Sequence, residues 1–182
     1  MQAVGAEKLL ELQVESKTYR SARNPPIEVL RDFAFELAAG SFACLVGPSG
    51  CGKTTILRIA AGLDRDFQGE RRISPSTRVA MVFQEPRLLP WRSVEDNIRI
   101  AMEAASATGA IGEWLERFDL VEQRRQYAGE LSLGQARRVA MARAMAVGPD
   151  LLLLDEPLVS LDETVAGRLR GELRAIRRKE KG

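Results

Sequence analysis

The chain has 182 residues, 45% of them apolar and 29% charged, with a formal charge of +2. Such a length and composition belong to a folded domain with a core of its own and exclude collagen-like and disordered classes. No histidine is present, which rules out His-based triads, H-E-x-x-H zinc sites and imidazole general bases, and the two cysteines, Cys44 and Cys51, fit no metal spacing.

No apolar run approaches the roughly 18 residues that a membrane span needs, and residues 1–8 lack the pattern of a signal peptide, so a cytoplasmic chain is expected. From Arg168 onward seven basic residues stand against two acidic ones. With aromatic residues at only 5%, this tail reads as a solvated helix face rather than a nucleic-acid surface.

Residues 8–19 alternate apolar and polar as a half-exposed strand does. Asn24-Pro25-Pro26 is a turn, Val29 to Leu37 alternates again, and Ala39-Gly40 ends that run. Ser41 to Val46, bounded by glycine on both sides, predicts a short buried strand. From Lys53 the period becomes helical, with Ile56, Ile59, Ala60 and Leu63 on one face. Val79 to Phe83 is another short strand and runs into Gln84-Glu85-Pro86.

Residues 93–130 read as helical, with Trp114, Leu115, Phe118 and Val121 at helical spacing and breaks at Gly109 and Gly112. A further helix follows Ser132 and stops at Gly148-Pro149, and Leu151 to Leu154 predicts a fully buried strand. Ser160 to Glu163 forms a possible capping box before a helix faced by Val165, Leu169, Leu173 and Ile176. Strands alternating with helices argue for an α/β sheet, with 93–148 as a helical insertion and 1–92 plus 149–182 as the core.

Three motifs carry chemistry. Gly47-Pro48-Ser49-Gly50-Cys51-Gly52-Lys53-Thr54 is G-x-x-x-x-G-K-[ST], after an expected strand and opening an expected helix. Its glycines let backbone N–H groups converge on phosphate oxygens, and the helix N-terminus adds its positive end. Lys53 then reaches the β- and γ-phosphates, and Thr54 offers its hydroxyl to Mg²⁺. Leu151 to Leu154 delivers Asp155 and Glu156 at its C-terminal end, where open α/β sheets bind ligands. Asp155 is suited to holding Mg²⁺ and Glu156 to polarising an attacking water. Leu131-Ser132-Leu133-Gly134-Gln135 opens a helix with a good N-cap and an uncluttered mouth, with Arg137, Arg138 and Arg143 behind it. That is a second anion-binding helix end, which one chain needs only if it serves a neighbouring molecule.

The order Tyr19, Gly47 to Thr54, Gln84, Leu131 to Gln135, Asp155-Glu156 and Leu161-Asp162 resembles the nucleotide-binding subunit of an ABC transporter, from about residue 8 to the end. Gly47 to Thr55, with Val82 to Trp91 after it, is similar to the nitrate/sulfonate/taurine import branch. The resemblance implies a P-loop NTPase core with an inserted helical subdomain, using ATP and Mg²⁺. It implies two subunits clamping two ATP molecules head to tail, so that Ser132 and Gly134, with Gln135 nearby, face the γ-phosphate of the partner's site. It further implies Tyr19 stacked on adenine, Thr55 within the phosphate site, Gln84 sensing Mg²⁺ and water, and Asp162 in the loop joining the two sites. Glu85 to Trp91 would lie near a membrane-spanning permease subunit, at the cytoplasmic face of the membrane, with a periplasmic solute-binding protein involved only indirectly and no nucleic acid.

Two departures accompany the resemblance: Leu133 stands where the family carries glycine, and the helical insertion is shorter than usual. Beyond the Leu161-Asp162 segment the family continues through a helix into a strand ending in a histidine, and this sequence has none. The expectation is therefore a C-terminally truncated ATPase with the last strand missing, weak stability and impaired turnover. Other readings weighed are a soluble ABC ATPase acting on DNA or ribosomes, a subunit that binds ATP without efficient turnover, and a P-loop kinase.

Overall fold

The computed structural model describes residues 8–22 and 25–156. Two compact units divide the chain, one running to Ser76 and the other starting at Thr77.

In the first unit, strands β1 (Lys8–Tyr19) and β2 (Ile27–Ala38) form a long antiparallel pair, and β3 (Gln68–Ile73) joins the other edge of β1. The expected alternation is present: Leu10, Leu12 and Val14 are buried on one face of β1. Helix α1 (Lys53–Ala60) packs Ile56, Ile59 and Ala60 into the core with Leu30 of β2. Leu63, expected on the same helical face, lies beyond the end of α1 and is exposed. A larger correction concerns Ser41 to Val46. This run belongs to no strand and has no ladder partner among the described residues, and Phe42 and Val46 are 75% and 90% exposed. An apolar run becomes a buried strand only where a neighbouring strand pairs with it; here the Ser41 N–H turns back to the Ala38 carbonyl at 3.2 Å, and among the described residues no strand pairs with the run.

In the second unit, β4 (Val79–Val82) and β5 (Leu151–Leu154) pair in parallel, Val79 opposite Leu151 and Val82 opposite Leu154. Leu151 and Leu153 are buried whereas Leu152 and Leu154 are only half-buried, so β5 is covered on one face rather than the two expected. The 93–130 stretch is helical only in part: α2 (Val94–Ala104), α3 (Ile111–Arg117) and a single 3₁₀ turn at Ala128–Glu130. Ser93 caps α2 by accepting from the Asp96 N–H at 3.0 Å, and Glu95 and Asp96 favour its positive end. Helix α4 (Leu133–Ala146) is buried nearly all round from Val139 to Ala146 and packs on α2 and α3, whose Ile98, Met102 and Leu115 are buried too. Its run of alanines permits that close packing.

Asn97 fastens the segment before α2. It is 2% exposed, accepts from the Leu89 N–H at 2.8 Å, and donates to the carbonyls of Leu89 and Ser93 at 3.1 and 3.0 Å. Glu95 accepts from both Arg99 and Arg124. The Arg124 hydrogen bond is the main cause that lowers its carboxyl to about 2, against the opposing effect of burial. Asp162 and the expected helix after it lie outside the described residues.

Candidate functional site

In the first unit, the glycine-rich segment closes onto α1. Gly52 is the N-cap of α1, in the left-handed region at φ 94°, and its carbonyl accepts the Ile56 N–H at 2.9 Å. A Cβ there would meet Leu30 at 2.7 Å and the Val29 side chain and carbonyl at 3.2 Å, so the loop is seated directly on β2. Gly50 also has a positive φ of 81°, but the space beside it is open. The turn across Pro48, Ser49 and Gly50 is closed by the Cys51 N–H on the Pro48 carbonyl at 3.4 Å. The Lys53 ammonium reaches back over the loop to the carbonyls of Gly47 and Pro48, both at 2.8 Å. A cation is thereby held at the mouth of a loop at a helix N-terminus, an arrangement suited to phosphate.

Tyr19, at the end of β1, stands next to this helix. Its hydroxyl is 3.3 Å from the Thr55 hydroxyl and donates to Asp64 at 3.1 Å. Asp64 also accepts from the buried Lys17 ammonium at 2.9 Å. Burial is the largest single effect on each partner and opposes its charged form, but the hydrogen bonds and opposite charges around the pair together outweigh it: Lys17 is held above the usual lysine value and Asp64 below the usual carboxylate value.

In the second unit, Gln84 follows β4 and Asp155-Glu156 follow β5, so the parallel register brings them to one end of the sheet. The Asp155 N–H extends the ladder by donating to the Val82 carbonyl at 2.9 Å, and the Asp155 side chain is buried. Glu156 is exposed and held at φ 50°, unusual for a residue with a side chain, while the Gln84 amide donates to its carboxylate at 2.9 Å. Strained φ values of this kind concentrate at functional sites. The segment after Gln84 is held by Arg143 of α4, which donates to the Pro86 and Arg87 carbonyls at 3.1 and 3.0 Å.

At the start of α4, Ser132 and Gln135 form a capping box: the Gln135 N–H donates to Ser132 Oγ at 3.2 Å and Gln135 Oε1 accepts the Ser132 N–H at 2.9 Å. A Cβ on Gly134 would meet nothing within 4 Å, and Leu133 is 54% exposed, so this helix mouth is open. Among the described residues no hydrogen bond joins this box to Gln84 or Glu156. The structure thus groups the expected residues into three sets: Tyr19 with Gly47 to Thr55, Gln84 with Asp155 and Glu156, and Ser132 to Gln135. Lys17 and Asp64 were not among the residues expected from sequence as part of the site, and Arg143, expected behind the mouth of α4, instead serves the segment after Gln84 from the last turn of that helix. A charged residue at the end of an alternating run, two places before Tyr19, was the available signal for Lys17.

Residues 30–159, more than half of the chain, match the family model described as ABC transporter. The chain belongs to that family. ABC-family relatives include the aliphatic sulfonates import ATP-binding protein SsuB 2 of Burkholderia cenocepacia, 42% identical over 172 residues, covering 91% of this chain and 62% of its own length. SsuB of Bacillus cereus is 40% identical over 164 residues, covering 86% and 65%. The Fe(3+) ions import ATP-binding protein FbpC 2 of Rhizobium meliloti is also 42% identical, over 82% of this chain and 42% of its own length. The chain therefore spans less than two thirds of the length of these curated relatives. The dimeric ATP-binding cassette MJ0796, solved with ADP and Pi, superposes with a TM-score of 0.85 at 26% identity, over 94% of this chain and 84% of that one. The fold is that of an ABC-type P-loop ATPase cassette.

Proposed function

We propose that this chain is the ATP-binding and hydrolysing subunit of an ABC importer for a small anionic solute such as a sulfonate, nitrate or taurine. The observation that carries the reading is the 2.9 Å bond from Gln84 to Glu156 at the C-terminal end of the parallel pair β4–β5, in a chain whose phosphate loop carries Lys53 across its mouth. In this reading the Glu156 carboxylate accepts a proton from the attacking water while the Gln84 amide orients it. Lys53 and the loop N–H groups offset phosphate charge, each such stabiliser contributing about 10²–10³ in rate. Thr54, Asp155 and Gln84 would each offer a hard oxygen donor of the kind that suits Mg²⁺, whose charge would offset that of the phosphates.

Ser132 and Gly134 would meet the γ-phosphate of a second copy, giving a head-to-tail homodimer. Its partners would be permease subunits, with the chain peripheral at the cytoplasmic face of the membrane; no helix among the described residues is long and apolar enough to cross one. The sulfonate importers among the relatives support the solute class; the iron importer's subunit has the same identity over a smaller share of both chains.

The test is Mg²⁺-dependent phosphate release from ATP, beside Lys53→Ala and Glu156→Gln. Release abolished by both substitutions supports the reading; release insensitive to either refutes it. One observation favours a second reading, ATP binding with impaired turnover. Ser41 to Val46, which leads into the phosphate loop, has no ladder partner among the described residues and so gives the loop no rigid arm. Under that reading ATP binds and release stays near the level of the controls.

A further inference from the structure

The end of β1 is re-aimed by one extra residue. Between Val14 and Ser16, β1 advances two places while β3 advances one, from Gly69 to Gln68. Glu15 is the bulged residue, and it reverses the parity of the strand. Up to Val14 the even positions are buried; after the bulge, Lys17 is. Gly69 permits the close approach, since its φ is 125° and a Cβ there would lie 2.0 Å from the Gln13 carbonyl oxygen. Lys17 and Tyr19, two places apart, therefore share a face.

What they meet there restrains the Tyr19 ring at two points. Lys17 is 2% exposed, and a buried ammonium requires partners. It donates to Asp64 at 2.9 Å and to the Asp66 carbonyl, and sits 4.6 Å from the centroid of the Tyr19 ring. The second oxygen of Asp64 accepts the Tyr19 hydroxyl, which also lies against Thr55 in the first turn of α1. Cation and carboxylate thus hold the ring by one face and by its hydroxyl, while 39% of the residue remains open to solvent.

We propose that Lys17 and Asp64 are positioning residues which hold the Tyr19 ring as a pre-ordered platform for the purine base, tied to the phosphate loop through Thr55. The inference rests on the reading of Tyr19 as the base-stacking residue. A ring ordered before the base arrives saves the entropy of ordering it on binding, an effect of about three- to tenfold in affinity. Loss of the stack itself is larger, about tenfold or more.

The test compares binding of Mg-ATP and of Mg-tripolyphosphate by calorimetry for the full chain and for Tyr19→Ala, Tyr19→Phe and Asp64→Asn. Tyr19→Phe keeps the ring and loses only the tether. The expected result is a three- to tenfold weaker ATP affinity for Tyr19→Phe and Asp64→Asn, with tripolyphosphate unchanged, and a larger loss for Tyr19→Ala. A Tyr19→Phe variant that binds ATP like the parent while Tyr19→Ala does not would overturn the positioning role and leave the stacking role standing. Unchanged ATP binding by Tyr19→Ala would remove the base-stacking reading and the inference with it. An equal loss for tripolyphosphate in Tyr19→Phe would overturn the inference by placing the effect on the phosphate loop. Should Asp64→Asn fail to fold, Tyr19→Phe alone decides.

Discussion

Glycine-to-alanine substitution separates the structural from the chemical glycines of this chain. Gly52 combines a φ of 94° with a Cβ position 2.7 Å from Leu30 and 3.2 Å from the Val29 carbonyl. Placing an L-residue in the left-handed region costs about 1–2 kcal/mol. Forcing a methyl against buried Leu30 and backbone adds about 1–3 kcal/mol, and the stiffer unfolded chain returns about 0.4–1 kcal/mol. Gly52→Ala should therefore lose about 2–4 kcal/mol. Gly50 shares the backbone strain, at φ 81°, but a Cβ there meets nothing within 4 Å, so Gly50→Ala should lose about 1 kcal/mol or less. Gly134 lies in the first turn of α4 with neither strain nor a close neighbour, and Gly134→Ala should leave stability unchanged or raise it by up to about 1 kcal/mol. Urea denaturation followed by circular dichroism ranks the three. Gly52→Ala within about 0.5 kcal/mol of the parent, or a Gly50→Ala variant as damaged as Gly52→Ala, would show that the loop is not seated on β2 as described.

Asn97→Ala removes four hydrogen bonds to the 89–93 segment from a buried site and should cost about 2–3 kcal/mol, measured by the same denaturation. Glu95, held at about 2 against an ordinary 4.5, contributes stability that is complete above pH 4.5 and is lost as the pH falls toward 2. Such a displacement is worth at most about 3 kcal/mol, reduced to about 1–2 kcal/mol by solvent around its exposed arginine partners, and Glu95→Gln should flatten the acid limb of the stability curve. Arg143→Met leaves the Pro86 and Arg87 carbonyls without their donor and should cost about 1–3 kcal/mol, with faster hydrogen exchange in the segment after Gln84. Glu156→Gln should lower phosphate release by about 10²–10⁴ while ATP remains bound, read by release and binding assays side by side.

The local geometry of the candidate site was legible wherever it depends on neighbours in sequence. The phosphate loop, the Ser132–Gln135 box and the Asp155-Glu156 pair each follow from a few adjacent residues, because loop closure and capping are local. The parallel pairing of β4 and β5 then converts two separate short motifs into the contact between Gln84 and Glu156. Burial was less legible, because it is a property of partners. Ser41 to Val46 has the composition of a buried strand, yet composition supplies no ladder, and all of its residues but the half-buried Leu45 stay exposed. Lys17 is the opposite case: alternation places it outward, and a single extra residue at Glu15 turns it inward. Bulges have no reliable local signature, but they have a consequence that can be searched for. A charged residue at the end of an alternating run, followed two places later by an aromatic, marks a point where parity can switch. Here the switch sets a buried lysine and a half-exposed tyrosine beside the helix that carries the phosphate loop. One strand thereby contributes both to the core, through Leu10, Leu12 and Val14, and to the site, through Lys17 and Tyr19.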